Sequence, residues 1–166
     1  MQRATLEHRR TPCVGICSTT YGDLICRGCK RFAHEIVSWN GYTVQQQGRV
    51  WQRLEQLRDG CVEANLTIFD ESRLRDYGAG PAVPPDGNLL PEGSQTLPGR
   101  GSLLSVAYES LRHAPADVSL EMLGIRAVDP TRAARSSLRE AIDQEFYRRS
   151  VAHYERSFKT SLHQQG

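Results

Sequence analysis

"TPCVGICSTTYGDLICRGCKR", residues 11–31, holds four of the chain's five cysteines: Cys13, Cys17, Cys26 and Cys29. Their spacing is C-x3-C-x8-C-x2-C. Two close pairs joined by a short loop can bring four sulfurs around one centre, and the x2 pair has the spacing of a metal knuckle. Gly15, Gly22 and Gly28 are interleaved with the cysteines and permit tight turns whose amides point at sulfur. No hydrophobic period runs through the stretch, so it reads as loop and turn held by something other than an apolar face. Thiolate is a soft ligand that suits zinc or an iron–sulfur cluster. The spacing matches neither the bacterial nor the plant-type ferredoxin run, so chemistry alone leaves both open. Four cysteines with no open position favour a closed structural site. Thiolate ligation of zinc supplies on the order of 10 kcal/mol of folding free energy, enough to hold a loop with few large apolar residues.

Arg9, Arg10, Arg27, Lys30 and Arg31 adjoin the cysteines. Cations there lower thiol pKa values and offset the negative charge of a four-thiolate site. Two other readings of the cluster stand beside this one. One is four buried apolar thiols. The other is a redox dithiol at Cys26-Arg27-Gly28-Cys29, which calls for a strand before and a helix after it in a βαβ pattern that this stretch lacks.

Outward from the cluster, the chain is ordinary in bulk. It has 166 residues, 39% apolar and 24% charged, with a net charge of +2. Any basic character is therefore local: residues 1–31 carry six Lys or Arg against two acidic residues. The opening "MQRATLEHRR" has no apolar h-region, so no secretory signal is expected, and no apolar run approaches the roughly 18 residues of a membrane span. The expected compartment is the cytoplasm, where clustered thiols are ligands or catalysts more often than disulfides.

Four segments are expected: a polar arm at 1–10, a metal-binding domain with following helices at 11–77, a Gly/Pro-rich linker or loop at 78–101 and a helical region at 102–166. In the domain, "RFAHEIVSW" (31–39) makes two helical turns and Asn40-Gly41 a turn. Thr43 caps a helix that runs to about Asn65, with Val44, Trp51, Leu54 and Leu57 on one face, Val50 beside them, and Cys61 and Leu66 extending the stripe. "LTIF" (66–69) is extended, and Asp70 caps "ESRLRDYG". Beyond the linker, "SLLSVAYESLRHA" is helical on Leu103 or Leu104, Ala107 and Leu111, and Pro115 stops it. "ADVSLEMLG" reads as a second short helix ending at Gly124. Asp129-Pro130 opens a long helix with a stripe through Leu138, Ile142, Phe146 or Tyr147, Val151, Tyr154, Phe158 and Leu162, and a break near Ser136-Ser137. The fold class is mainly α: a small metal-stabilised N-terminal module with an irregular Cys-rich metal-binding loop, and a helical C-terminal extension.

"PCVGICSTTYGDLICRGCKRFAHEIVSWNGYT", followed by "VWQRLEQL", resembles a small bacterial domain-of-unknown-function family labelled "predicted Fe-S protein". Pro12, Cys13, Cys17, Cys26, Gly28, Cys29, Arg31, Glu35, Ile36, Trp39 and Leu54 match its pattern, over roughly residues 10–60. The resemblance implies that Cys13, Cys17, Cys26 and Cys29 ligate an iron–sulfur cluster, with zinc the alternative, and it implies no activity or substrate. Residues beyond it look like the C-terminal extension of longer gammaproteobacterial members.

Other candidates have plainer readings. Cys61 is a core or surface thiol, His34 a surface or outer-sphere residue, and His8 solvated. Trp39 and Trp51 are the core on which the loop leans; as base-stacking platforms beside basic residues they would instead mark a nucleic-acid site. Glu140, Asp143, Glu145, His153 and Glu155 lack the Glu-x-x-His spacing of di-iron bundles and read as a solvated helix face, with a partner-binding helix as the sharper reading. No P-loop, dinucleotide fingerprint, G-x-S-x-G or H-E-x-x-H occurs. The expected function is a non-enzymatic metal-binding accessory protein that contacts an unidentified protein partner. A zinc-finger-like nucleic-acid module, a small electron carrier and a thiol oxidoreductase are the alternatives.

Overall fold

A computed structural model of the chain describes residues 11–78 and 102–158. The expected arm at 1–10, all of the expected linker except Gly78, and residues 159–166 with Leu162 lie outside the described residues. The rest is mainly α-helical: α1 (Ala33–Ser38), α2 (Val44–Asn65), α3 (Glu71–Gly78), α4 (Leu103–His113) and α5 (Arg135–Phe158), with short strands β1 (Leu66–Ile68) and β2 (Ile125–Ala127). The chain divides into two compact units, residues 1–57 with 146–166 and residues 58–145, the boundaries falling inside α2 and α5.

In the first unit, a 3-10 turn at Trp39–Gly41 separates α1 from α2, as Asn40-Gly41 leads one to expect. Thr43 and Gln46 then form a reciprocal cap: the Thr43 amide donates to Gln46 Oε1 at 2.8 Å and the Gln46 amide to Thr43 Oγ1 at 3.2 Å. The buried face of α2 here is Gln47, Val50 and Leu54. The expected stripe is rotated from this, for Val44 is exposed and Trp51 and Leu57 are half-buried. The cause is polar: Gln47 is admitted to the core because its Nε2 donates to the Trp39 carbonyl at 3.0 Å, and Arg53 lies on that side to reach Glu35. An apolar count cannot register either contact.

The second unit is built on Val62, Leu66, Leu74, Ala107, Leu111, Leu123, Ile125, Leu138 and Ile142, all buried. Asp70 caps α3 through its Oδ1, which accepts from the Arg73 amide at 3.1 Å, and α3 packs on α4. β1 and β2 pair antiparallel, Leu66 opposite Ala127 and Ile68 opposite Ile125. Gly124 leads into β2 with φ +71°, and a Cβ there would stand 2.3 Å from the Asp70 carbonyl oxygen. The Gly124 carbonyl in turn accepts from the Phe69 amide at 2.9 Å. "ADVSLEMLG" is not a helix: residues 116–124 form successive turns, in which the Leu120 carbonyl accepts from both Leu123 and Ile125. The turn chain delivers Ile125 to the ribbon, a non-local pairing that periodicity in the segment does not reveal. Asp129-Pro130 caps a 3-10 turn, Pro130–Arg132, rather than α5, which then runs unbroken through Ser136 and Ser137.

Candidate metal centre

The cysteine loop folds back on itself between residues 24 and 33. Ile25 bridges antiparallel to Phe32, the Ala33 amide donates to the Leu24 carbonyl at 2.8 Å, and the Cys26 amide donates to the Arg31 carbonyl at 2.9 Å. The Lys30 amide closes the turn on the Cys26 carbonyl at 2.8 Å. The result is a tight knuckle with Cys26 and Cys29 at its tip. Both thiols are buried, Cys26 to 1% exposure.

The C-x3-C half of the loop lies on this knuckle. The Arg27 amide donates to Ser18 Oγ at 2.8 Å, and Cys26 Sγ lies 3.7 Å from the Ile16 carbonyl oxygen. Gly28 is needed for the close approach: a Cβ there would sit 2.7 Å from Val14 Cγ2 and 2.9 Å from the Ile16 oxygen. Gly15 turns the loop at φ +105°.

Electrostatics separates the two buried thiols. Burial alone pushes Cys26 up, but the amides of Cys29, Ser18 and Gly28 and the Cys29 thiol outweigh it and bring its pKa down to about 7. Burial pushes Cys29 above the ordinary thiol value against the opposing pull of Arg31, whose Nε stands 3.4 Å from Cys29 Sγ. Arg31 is itself 4% exposed, and its guanidinium lies 4.9 Å from the centre of the buried Trp39 ring. Trp39 is thus core, as the sequence suggests, and forms the floor on which Arg31 is held. Lys30 is 1% exposed, with Nζ 3.0 Å from the Gly28 carbonyl oxygen and 5.3 Å from the centre of the Phe146 ring.

Cys13 is exposed and Cys17 half-buried. Cys13 Sγ accepts from the Gly15 amide at 3.5 Å, and Cys17 Sγ is 2.8 Å from Thr19 Oγ1. Of the four expected ligands, Cys26 and Cys29 have interacting thiols, while Cys13 and Cys17 flank Val14, Ile16 and Ser18, which make the loop's contacts with the knuckle. Among the described residues no group of three or more His, Cys, Asp and Glu side chains is gathered about one point for a metal. The donor set nevertheless suits a thiolate-bound centre at the knuckle: two buried sulfurs, amides directed at one of them and a guanidinium at the other.

Beneath the knuckle, Phe32 and Glu35 fasten α1 to α2. Glu35 Oε2 accepts from the Phe32 amide at 2.9 Å and from Arg53 Nη2 at 2.7 Å, and Arg53 Nη1 binds Glu35 Oε1. The Arg53 guanidinium lies 3.9 Å from the centre of the Phe32 ring, which Tyr154 meets edge-on at 5.0 Å. The family resemblance includes Glu35 among its matching positions but nothing in the sequence marks its partner Arg53; an acid and a base eighteen positions apart give no local signal. His34 is exposed and touches Phe32 and Phe158 by its ring. His153 stacks near Phe32 and lines a shallow cleft of about 400 Å³ with Glu35, Arg49 and Arg53; burial and the Arg53 and Arg156 charges push its pKa down. Of the acidic residues considered with it, Glu145 accepts from Asn65 Nδ2 at 2.6 Å and Glu140 from Gln144 Nε2 at 3.2 Å. Cys61 is fully buried on α2 in the second unit, and Trp51 is half-buried.

A cysteine knuckle followed by α1 and α2 defines a small Cys-rich α module. Residues 11–58 match the model of a family described as "Protein of unknown function (DUF1289)". No curated protein matches the chain, and no solved structure does. No helix among the described residues is long and apolar enough to cross a membrane.

Proposed function

We propose that this chain is a non-enzymatic metal-binding accessory protein, with Cys13, Cys17, Cys26 and Cys29 holding one centre. The observation that carries this reading is the convergence of amides on the buried Cys26 sulfur beside the Cys29 thiol. Thiolate in that setting suits metal ligation. An iron–sulfur cluster is the first choice, through the resemblance of residues 10–60 to a family labelled for one; zinc is the second. The centre would fix the loop and supply either fold stability or, for iron, a redox couple. The reduced thiols this requires are those of the cytoplasm. The fixed loop would present Val14, Ile16, Tyr21 and Leu24, all exposed, to a protein partner. Residues 102–158, with α4 and α5, would serve as the extension of a longer family member.

Two observations support other readings. A thiol near pKa 7 beside a second thiol suits a dithiol oxidoreductase. The described part of the first unit carries eight Lys or Arg against four acidic residues, a balance that suits nucleic acid. Metal analysis with an absorption spectrum, on protein purified without oxygen or a metal-affinity tag, separates the main reading from the dithiol. Brown protein with iron and acid-labile sulfide is expected, lost when Cys26 and Cys29 become Ser. A single colourless zinc would make the site a structural finger and turn attention to nucleic acid and protein partners. Folded protein without metal would overturn the proposal in favour of the dithiol.

A further inference from the structure

Lys30 occupies a position where a lysine is out of place twice over. Its backbone is left-handed, φ +62°, and it is the one non-glycine among the described residues with a positive φ. The β-carbon makes that conformation unfavourable, and glycine is the ordinary occupant. Its side chain is also buried to 1% exposure, although an ammonium is costly to remove from water. Glycine would avoid the backbone penalty, but it could not make the contacts that the Lys30 side chain makes.

Two of those contacts bear on the cysteine knuckle. Nζ donates to the carbonyl oxygen of Gly28 at 3.0 Å and rests over the Phe146 ring at 5.3 Å. The Gly28 carbonyl belongs to the same planar peptide as the Cys29 N–H, and in a trans peptide the two groups point in opposite directions. The Cys29 amide is directed at the Cys26 sulfur. One peptide unit therefore accepts from the buried ammonium at its oxygen and presents its N–H to sulfur. Hydrogen bonds chained through one group polarise and strengthen one another, more so away from water.

We infer that Lys30 is a positioning residue, which locks and polarises the Gly28–Cys29 peptide so that its N–H is held on the Cys26 sulfur. The strained backbone is what brings the Lys30 side chain back over the turn, and Phe146 on α5 forms the seat for the ammonium. Arg31, pointing its Nε at Cys29 from the adjacent position, serves the other sulfur directly. A metal centre at the knuckle would gain ligand orientation from both, a consequence that rests on the function proposed above; the peptide lock itself does not.

The test uses the full chain with Lys30→Gly, Lys30→Met and Lys30→Arg. The probes are Zn2+ affinity by chelator competition and exchange of the Cys29 amide proton by NMR, in metal-free and zinc-loaded protein. Loss of such outer contacts typically weakens metal binding about 10–100-fold. Lys30→Met and Lys30→Gly are expected to bind Zn2+ about tenfold or more weakly and to exchange the Cys29 proton faster, while Lys30→Arg keeps most of both. If Lys30→Gly matches or exceeds the wild type in affinity and in Cys29 protection, Lys30 is tolerated strain and the inference is overturned. If the wild type takes up no Zn2+, the zinc form of the proposed centre fails, and Cys29 exchange in the metal-free variants still decides the role of Lys30.

Discussion

At the scale of single residues, the two buried cysteines are chemically unequal although they sit three positions apart. Cys26 takes amides from Cys29, Ser18 and Gly28, whereas Cys29 relies on Arg31 and feels its burial more fully. Only the thiolate attacks an alkylating reagent. In metal-free folded protein, the alkylation rate of Cys26 should rise with pH through a midpoint of about 7. Cys29 should stay slow until the pH passes the ordinary thiol range. Mass mapping of iodoacetamide adducts across pH checks this, and equal midpoints for the two sites would refute the amide account. Metal loading should protect both.

At the scale of elements, the Glu35–Arg53 pair joins α1 to α2, and both side chains are largely withdrawn from water, 6% and 14% exposed. Breaking a buried pair from one side costs about 3–5 kcal/mol, because the remaining charge is left uncompensated. Arg53→Met should therefore lower unfolding free energy by about that amount. Adding Glu35→Gln should recover much of the loss, since glutamine keeps an acceptor for the Phe32 amide. Urea unfolding followed by tryptophan fluorescence tests it; a double variant no better than Arg53→Met would show that the carboxylate's charge is not the problem. These elements also mark how far the sequence is legible. Caps are local, and two of the three expected ones hold: Thr43 caps α2 and Asp70 caps α3, while Asp129 caps the 3-10 turn that precedes α5. Elements made by distant partners leave no such local mark. β2 exists because Leu66–Ile68 lies beside it, and the inner face of α2 is set by Gln47 and Arg53 bonding outside the helix. The cysteine spacing points to the knuckle, but the burial of Lys30 and Arg31 is invisible to a scale that treats charge as solvated.

At the scale of the whole chain, the two units differ in what they can rest on. The second unit has an apolar interior of ordinary kind, with Val62, Leu74, Leu111, Leu123, Ile125, Leu138 and Ile142 all buried. The first holds Ile25, Phe32, Trp39, Val50, Leu54 and Phe146, but it also encloses Lys30, Arg31 and Glu35. Buried charge offsets apolar gain, so the first unit has more need of a ligand-derived contribution. Thiolate–zinc ligation can supply on the order of 10 kcal/mol. Stripping metal from the loaded protein with a strong chelator should then act unevenly in hydrogen exchange. The amides of Cys26, Lys30 and Ala33, which close the knuckle on the Arg31, Cys26 and Leu24 carbonyls, should lose protection first. The amides of Phe69 and Val128, bonded to Gly124 and Asn65 across the ribbon ends, should keep theirs. Equal loss at both places would mean that the centre stabilises the chain as a single cooperative body. No loss at the knuckle would mean that its hydrogen bonds and packing suffice without a metal.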